Sequence, residues 1–135
     1  MYRRNIRAAV ETALADTRVV LLNGARQVGK STLARELAQA RHGQYLSLDD
    51  PTTAATANAD PGGFVDAVGE FTVIDEAQLA PGLFPAIKRA VDRDPRPGRF
   101  LLTGSANVLL LPRIAESLAG RMQILTLHPL AQSEV

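Results

Sequence analysis

The chain of 135 residues is long enough for one domain with a buried core, and its 46% hydrophobic and 21% charged residues are typical of a globular protein. A net charge of +1 gives no strong field towards nucleic acid, and an aromatic fraction of 4% argues against stacking platforms for single strands. Because there is no cysteine, no disulfide or thiolate metal site is possible, and since no apolar run approaches the ~18 residues of a membrane span we expect a cytoplasmic protein.

The first half of the chain alternates between helical and strand patterns. Apolar residues recur at spacings of four over residues 4–16, which predicts a helix, and the apolar run 19–22 predicts a buried parallel strand. Residues 30–41 predict a second helix that Gly43 ends, and 45–48 a second strand. The stretch 52–69 is rich in Ala, Asp, Gly and Pro and predicts a loop with one short helix around 64–68.

The second half continues the alternation and defines the fold class. Strands are predicted over 71–74, 100–103 and 122–127, with helices over 81–92 and 108–118, the latter kinked or restarted at Pro112. Strands that alternate with helices predict an α/β domain in which helices cover both faces of a parallel sheet, a three-layer sandwich.

One segment matches the phosphate-binding loop pattern G-x-x-x-x-G-K-[ST] at every fixed position. The glycines let the backbone curl so that its N–H groups point at phosphate oxygens, and the helix that follows adds its positive dipole end. Lys30 is predicted to reach the β- and γ-phosphates, and the Ser31 hydroxyl to ligate Mg²⁺. A chance glycine-rich turn is the alternative, which the strand before and the helix after disfavour. The predicted cofactor-binding residues are Gly24, Ala25, Arg26, Gln27, Val28, Gly29, Lys30, Ser31 and Thr32.

Two acids end the third predicted strand. Because ligands gather at the carboxyl ends of parallel strands, Asp75 is predicted to hold Mg²⁺, directly or through water. Glu76 is predicted to orient and polarise the attacking water as a general base. The alternative is that both acids only begin a solvated turn and cap the next helix.

The fourth predicted strand also runs from apolar residues into polar ones. Thr103 and Ser105 are our candidates for sensing the γ-phosphate, with Asn107 behind them. The alternative is a turn whose hydroxyls cap the following helix.

Several separated segments together resemble the AAA-type ATPase domain of prokaryotic ATP-binding proteins related to the archaeal ATPases. The likeness covers nearly the whole chain, although Ala25 replaces the usual proline of the loop. Its motifs are Val20-Leu21-Leu22-Asn23-Gly24-Ala25-Arg26-Gln27-Val28-Gly29-Lys30-Ser31-Thr32-Leu33, Leu46-Ser47-Leu48-Asp49-Asp50-Pro51, Ile74-Asp75-Glu76-Ala77-Gln78, Gly98-Arg99-Phe100-Leu101-Leu102-Thr103-Gly104-Ser105, Ser117-Leu118-Ala119-Gly120-Arg121 and His128-Pro129-Leu130.

The resemblance implies a P-loop NTPase fold with a five-stranded sheet of order 5-1-4-3-2, and ATP as the nucleotide that is bound and hydrolysed. Related ATPases place an arginine finger after the sensing strand, which acts across a subunit interface. Arg121 is our preferred candidate and Arg113 the other, although helix ends favour arginine for the dipole alone. Members typically continue into a helical segment and a nuclease-like domain, so we expect residues 1–135 to be the ATP-binding part.

Two functions follow from these residues. The first is an ATPase in which Lys30 and Ser31 bind MgATP, Asp75 supports the metal and Glu76 activates water. The second is a nucleotide-dependent binding module, with a homo-oligomer or a protein partner as its context and with negligible turnover. A P-loop kinase is a third, disfavoured because no clear arginine-rich lid lies between Glu76 and Val135. ATP is preferred over GTP because the guanine motif Asn/Thr-Lys-x-Asp is absent.

Overall fold

A computed structural model describes residues 2–24, 30–68, 70–104, 118 and 120–127 of the chain. None of the helices within these ranges is long and apolar enough to cross a membrane. The helices are α1 Tyr2–Asp16, α2 Lys30–Ala40, α3 Pro51–Ala59, α4 Pro61–Asp66 and α5 Leu83–Arg93, and a 3₁₀ turn spans Ala77–Leu79. The strands are β1 Val19–Gly24, β2 Gln44–Ser47, β3 Thr72–Asp75, β4 Phe100–Gly104 and β5 Met122–Leu127.

The five strands form one sheet in the order β2-β3-β4-β1-β5, and every neighbouring pair is parallel. This is the predicted order 5-1-4-3-2 read from the other edge, so the α/β fold of P-loop NTPases is confirmed. The central strands β1, β3 and β4 are buried along their whole length, as parallel strands covered on both faces must be.

The sheet separates two apolar clusters. Successive residues of a strand point to opposite faces, so Val20 and Leu22 pack with α1 and α2, whereas Val19 and Leu21 pack with α3, α4 and α5. The same alternation divides Val73 from Ile74 in β3, and Leu101 from its two neighbours in β4. The three-layer architecture is therefore fixed by strand periodicity.

The segment after β2 differs from the prediction. The sequence predicts a loop with one short helix over 52–69, but the chain forms two consecutive helices there, α3 and α4. Each helix begins with an Asp-Pro pair. Asp50 accepts a hydrogen bond from the Thr52 N–H at 3.3 Å, and Asp60 one from the Gly63 N–H at 3.1 Å. Proline at the first helical position then needs no hydrogen bond of its own. The predicted helix 108–118 lies almost entirely outside the described residues.

The end of α2 also differs in detail. His42, not Gly43, adopts the left-handed conformation, with φ of 57°. The Gly43 N–H bonds to the Ala38 carbonyl at 2.8 Å and the His42 N–H to the Gln39 carbonyl at 3.3 Å, which is the Schellman pattern. Glycine at 43 has another cause, because a Cβ there would lie 2.5 Å from the backbone oxygen of Phe71.

Candidate functional site

The strands that carry the predicted site residues meet at one edge of the sheet, the edge that the carboxyl ends of the strands form. β1 ends at Gly24, β3 at Asp75 and β4 at Gly104, and β4 lies between the other two. Two strand spacings, about 10 Å, therefore separate the end of β1 from Asp75. The helix α2 begins at Lys30, only a few residues after β1. The chain thus turns between β1 and α2 at the edge where the acidic strand ends.

The described part of the structure does not include the centre of the predicted loop. Residues 25–29 and 105–117 lie outside it, as do the side chains of Lys30 and Ser31. The roles predicted for these residues, and for Ser105, therefore stay predictions.

Strand periodicity also fixes the face on which the site residues lie. Val73 and Leu101 belong to the cluster covered by α1 and α2. Asp75 and Thr103 come two residues later in the same strands, so their side chains point to that same face. Both are buried, at 2% and 0% exposure. The acidic residue thus faces the side of the sheet on which α2 starts.

The Asp75 carboxylate is held by one hydroxyl on each of its oxygens. The Thr103 hydroxyl donates to Oδ1 from β4, and the Tyr45 hydroxyl donates to Oδ2 from β2. Carboxylate oxygen is the donor type that Mg²⁺ prefers. The residue present at the end of β3 therefore fits a magnesium ion.

Tyr45 was not predicted as a site residue. Burial together with the neighbouring Asp75 carboxylate raises the pKa of Tyr45 from 10.0 to about 12, so its hydroxyl remains a proton donor near neutral pH. Its position beside Asp75 could nevertheless have been predicted from the implied strand order, which puts β2 beside β3. The register pairs Tyr45 with Val73, one side-chain position before Asp75 on the same face.

Glu76 has an unusual backbone and a specific partner. Its φ and ψ are 59° and 48°, a left-handed conformation that is uncommon for a residue with a side chain and that is often found at functional sites. Its N–H donates to the Thr103 hydroxyl at 3.0 Å, and its carboxylate accepts from the Gln78 amide at 2.7 Å. Glu76 is 2% exposed, so this acid is buried and does not begin a solvated turn.

Gln78 is a second residue that the prediction missed. Its amide nitrogen is committed to Glu76, and its Oε1 is buried without a hydrogen-bond partner within the described residues. This oxygen approaches Gly104, where a Cβ would lie 3.0 Å from it. A buried acceptor that lacks a donor is costly, so this atom is a natural acceptor for a bound water.

Arg121 is not brought together with these residues. It precedes β5 at the opposite edge, where its backbone carbonyl accepts from the Val19 N–H at 3.2 Å. Its guanidinium bonds to Asp92 of α5, with 2.5 Å between Nε and Oδ1. The Arg121 guanidinium is the largest cause that lowers the pKa of Asp92. The predicted finger role would act on a neighbouring subunit and stays a prediction.

A cleft of about 480 Å³ lies at that opposite edge too. It is lined by residues that precede β2, β3 and β4, among them Arg41, Phe71 and Arg99. Because Asp75 and Thr103 lie at the other ends of these strands, this cleft is separate from the site described above.

Comparison with known proteins identifies the family of this chain. Residues 16–135 match the model of a family described as an AAA domain. The chain is 39% identical over 133 residues to the uncharacterized protein Rv2008c of Mycobacterium tuberculosis, which covers 98% of this chain and 30% of that protein. The chain therefore spans less than a third of the length of this relative.

Two solved structures share the fold at low sequence identity. The P-loop NTPase domain of a sigma-54 transport activator from E. coli is 21% identical with a TM-score of 0.61, over 94% of each chain. AMPPCP-bound DnaA from Aquifex aeolicus is 13% identical with a TM-score of 0.58, over 92% of this chain and 44% of that one. These likenesses concern the fold.

Proposed function

The chain belongs to the AAA domain family of P-loop NTPases, and from this premise we propose that it binds ATP with Mg²⁺ and hydrolyses it to ADP and phosphate. Residues 1–135 are the ATP-binding unit in this proposal. The structure of DnaA with AMPPCP, an ATP analogue, supports an adenine nucleotide as the ligand.

The observation that carries the proposal is the environment of Asp75. A buried carboxylate normally costs several kcal/mol unless it is paired or hydrogen-bonded. Here hydroxyls from both flanking strands hold it at the edge where the phosphate-loop segment begins. A carboxylate maintained in this way, next to a second buried acid, is typical of a site that handles a metal-bound phosphate.

Each residue then has a defined task. Gly24 through Thr32 cradle the phosphates, and Lys30 binds the β- and γ-phosphate oxygens. Ser31 and Asp75 hold the magnesium ion, which neutralises charge on the phosphates when it is bound. Glu76 accepts a proton from the attacking water. Thr103 keeps both acids in place, since its hydroxyl contacts Asp75 and the backbone of Glu76.

The test is to separate binding from turnover at Glu76. We expect Glu76→Gln to bind MgATP with native affinity, because the amide keeps the size of the carboxylate. We expect phosphate release to fall by roughly 10²–10⁴-fold, since the general base is lost. Calorimetric titration and a phosphate-release assay measure the two quantities.

The matched control is Glu70→Gln, which neutralises an exposed acid at the opposite edge of the sheet. This variant should bind and hydrolyse ATP like the native chain. Equal phosphate release by Glu76→Gln and native protein would contradict the base assignment.

One observation favours a second function, a nucleotide-dependent switch module with negligible turnover. The Gln78 amide donates to Oε1 of the Glu76 carboxylate at 2.7 Å, so it competes with an attacking water for that oxygen. Native protein that binds ATP but releases no phosphate at any protein concentration would favour this function. A rate of phosphate release per chain that rises with protein concentration would instead favour an ATPase assembled as a homo-oligomer, in which Arg121 completes a neighbour's site.

The proposed function also concerns where the protein acts and what it assembles with. We propose a cytoplasmic protein in which ATP binding is coupled to a homo-oligomer or to a protein partner. Size-exclusion chromatography of the chain with and without MgATP tests the homo-oligomer, and an elution volume that nucleotide leaves unchanged would contradict nucleotide-linked self-association.

A further inference from the structure

The acidic strand is flanked by two hydroxyl donors that differ in how they are anchored. Thr103 lies on β4, a central strand that is wholly buried. Tyr45 lies on β2, an edge strand that is half exposed. An edge strand pairs with a neighbour on one side only, so its backbone is held less firmly than that of a central strand. The position of the Tyr45 hydroxyl therefore depends more on the contacts of its ring.

The ring of Tyr45 is fixed by an apolar contact and by a cationic one. It packs against the apolar cluster under α1 and α2. The guanidinium carbon of Arg35, on α2, lies 5.3 Å from the ring centroid, within the range of a cation–π contact. Arg35 is five residues after Lys30, so the helix that follows the phosphate loop also contacts the residue that holds Asp75.

The second oxygen of Asp75 matters for a metal site because of geometry. An aspartate bound through one oxygen alone can still rotate about its terminal torsion, which is broad. A donor on each oxygen, one from each side of β3, fixes the plane of the carboxylate and hence the directions in which its oxygens accept ligands. Such outer contacts orient metal ligands, and their loss typically costs 10–100-fold in metal affinity.

We propose that Tyr45 is a positioning residue that sets the plane of the Asp75 carboxylate for magnesium-bound nucleotide. The inference rests on the proposed function, since it assigns Asp75 to the metal. Tyr45 touches neither nucleotide nor metal in this account and acts through Asp75 alone. Its effect therefore belongs to the magnesium-dependent part of nucleotide affinity.

Tyr45→Phe tests this inference because it removes the hydroxyl and keeps the ring. ATP affinity is measured by calorimetry with Mg²⁺ and with EDTA, and the ratio of the two dissociation constants is the magnesium-linked gain. We expect this gain to fall by about 10-fold or more in Tyr45→Phe, with affinity in EDTA unchanged. Thr56→Val, which removes an exposed hydroxyl of α3, should leave both affinities native.

A double-mutant cycle distinguishes positioning from a general effect on the fold. Asp75→Asn lowers the magnesium-linked gain by itself, and adding Tyr45→Phe should lower it no further if Tyr45 acts through Asp75. A native gain in Tyr45→Phe, an equal loss of affinity in EDTA, or an additive cycle would overturn the inference. Failure of the native chain to bind ATP in any buffer would instead contradict the proposed function itself.

Discussion

At the scale of single residues, Thr103 links the two acids of the site. Its hydroxyl donates to Asp75 and accepts from the Glu76 N–H, and the side chain is fully buried. The sequence predicts Thr103 as a candidate sensor of the γ-phosphate, because it ends an apolar strand, and that role stays a prediction. The bond to the backbone of Glu76 could not be predicted, because it depends on a left-handed turn that no residue pattern signals for a glutamate.

Replacing Thr103 by valine tests the value of this hydroxyl. The shape is nearly kept, but Asp75 loses one donor and the Glu76 N–H loses its acceptor. Leaving a buried polar group unsatisfied costs roughly 1–3 kcal/mol, so we expect the free energy of unfolding to fall by about that amount. Urea denaturation followed by circular dichroism measures the change.

Thr103→Ser is the control, since it retains the hydroxyl and should recover much of the native stability. If Thr103→Val were as stable as the native chain and as Thr103→Ser, the hydroxyl would contribute nothing to the fold, and its position between the acids would be incidental.

At the scale of elements, the connections were harder to predict than the strands. β1, β3 and β4 are apolar runs that end in polar residues, and a buried parallel strand leaves that pattern whatever surrounds it. α3 and α4 carry alanine, threonine and glycine, so no apolar stripe announces them, and they bury chiefly Ala57 and Val65. The two Asp-Pro pairs were the available signal, and they were interpreted as turns.

At the end of α2, substitutions of two adjacent residues are expected to change the free energy of unfolding in opposite directions. His42 adopts φ of 57°, which costs a residue with a Cβ roughly 1–2 kcal/mol, so His42→Gly should raise the free energy of unfolding by up to ~1 kcal/mol after the added chain entropy. Gly43→Ala should lower it by about 1–3 kcal/mol, because the new methyl would meet the Phe71 backbone and push β2 from β3. Thermal and urea unfolding measure both.

These two variants control each other, since both alter the same turn. Equal effects of the same sign would show that neither the left-handed residue nor the close approach to Phe71 governs this connection.

At the scale of the complete sheet, the strand order was predictable, but the hydrogen bonds that hold Asp75 were not. The order 5-1-4-3-2 came from a resemblance carried by motifs at the strand ends, and the sheet reproduces it. The hydroxyls on Asp75 come from strands that lie far from it in sequence, and a single sequence does not give the side-chain reach that joins them. Asp75 therefore reaches the edge where the predicted phosphate loop begins only because the whole sheet brings it there.

The two lysines of the chain provide the most direct test that phosphates bind at this edge of the sheet. Lys30 begins α2 at the predicted phosphate site, whereas Lys88 is exposed on α5. The measurement is the affinity for MgATP of the native chain, Lys30→Ala and Lys88→Ala by isothermal titration calorimetry. Loss of a hydrogen bond to a charged group is worth about 1.5–3 kcal/mol, so Lys30→Ala should bind roughly 10–100-fold more weakly while Lys88→Ala binds like the native chain. Native affinity in Lys30→Ala would contradict the phosphate site and the function built on it.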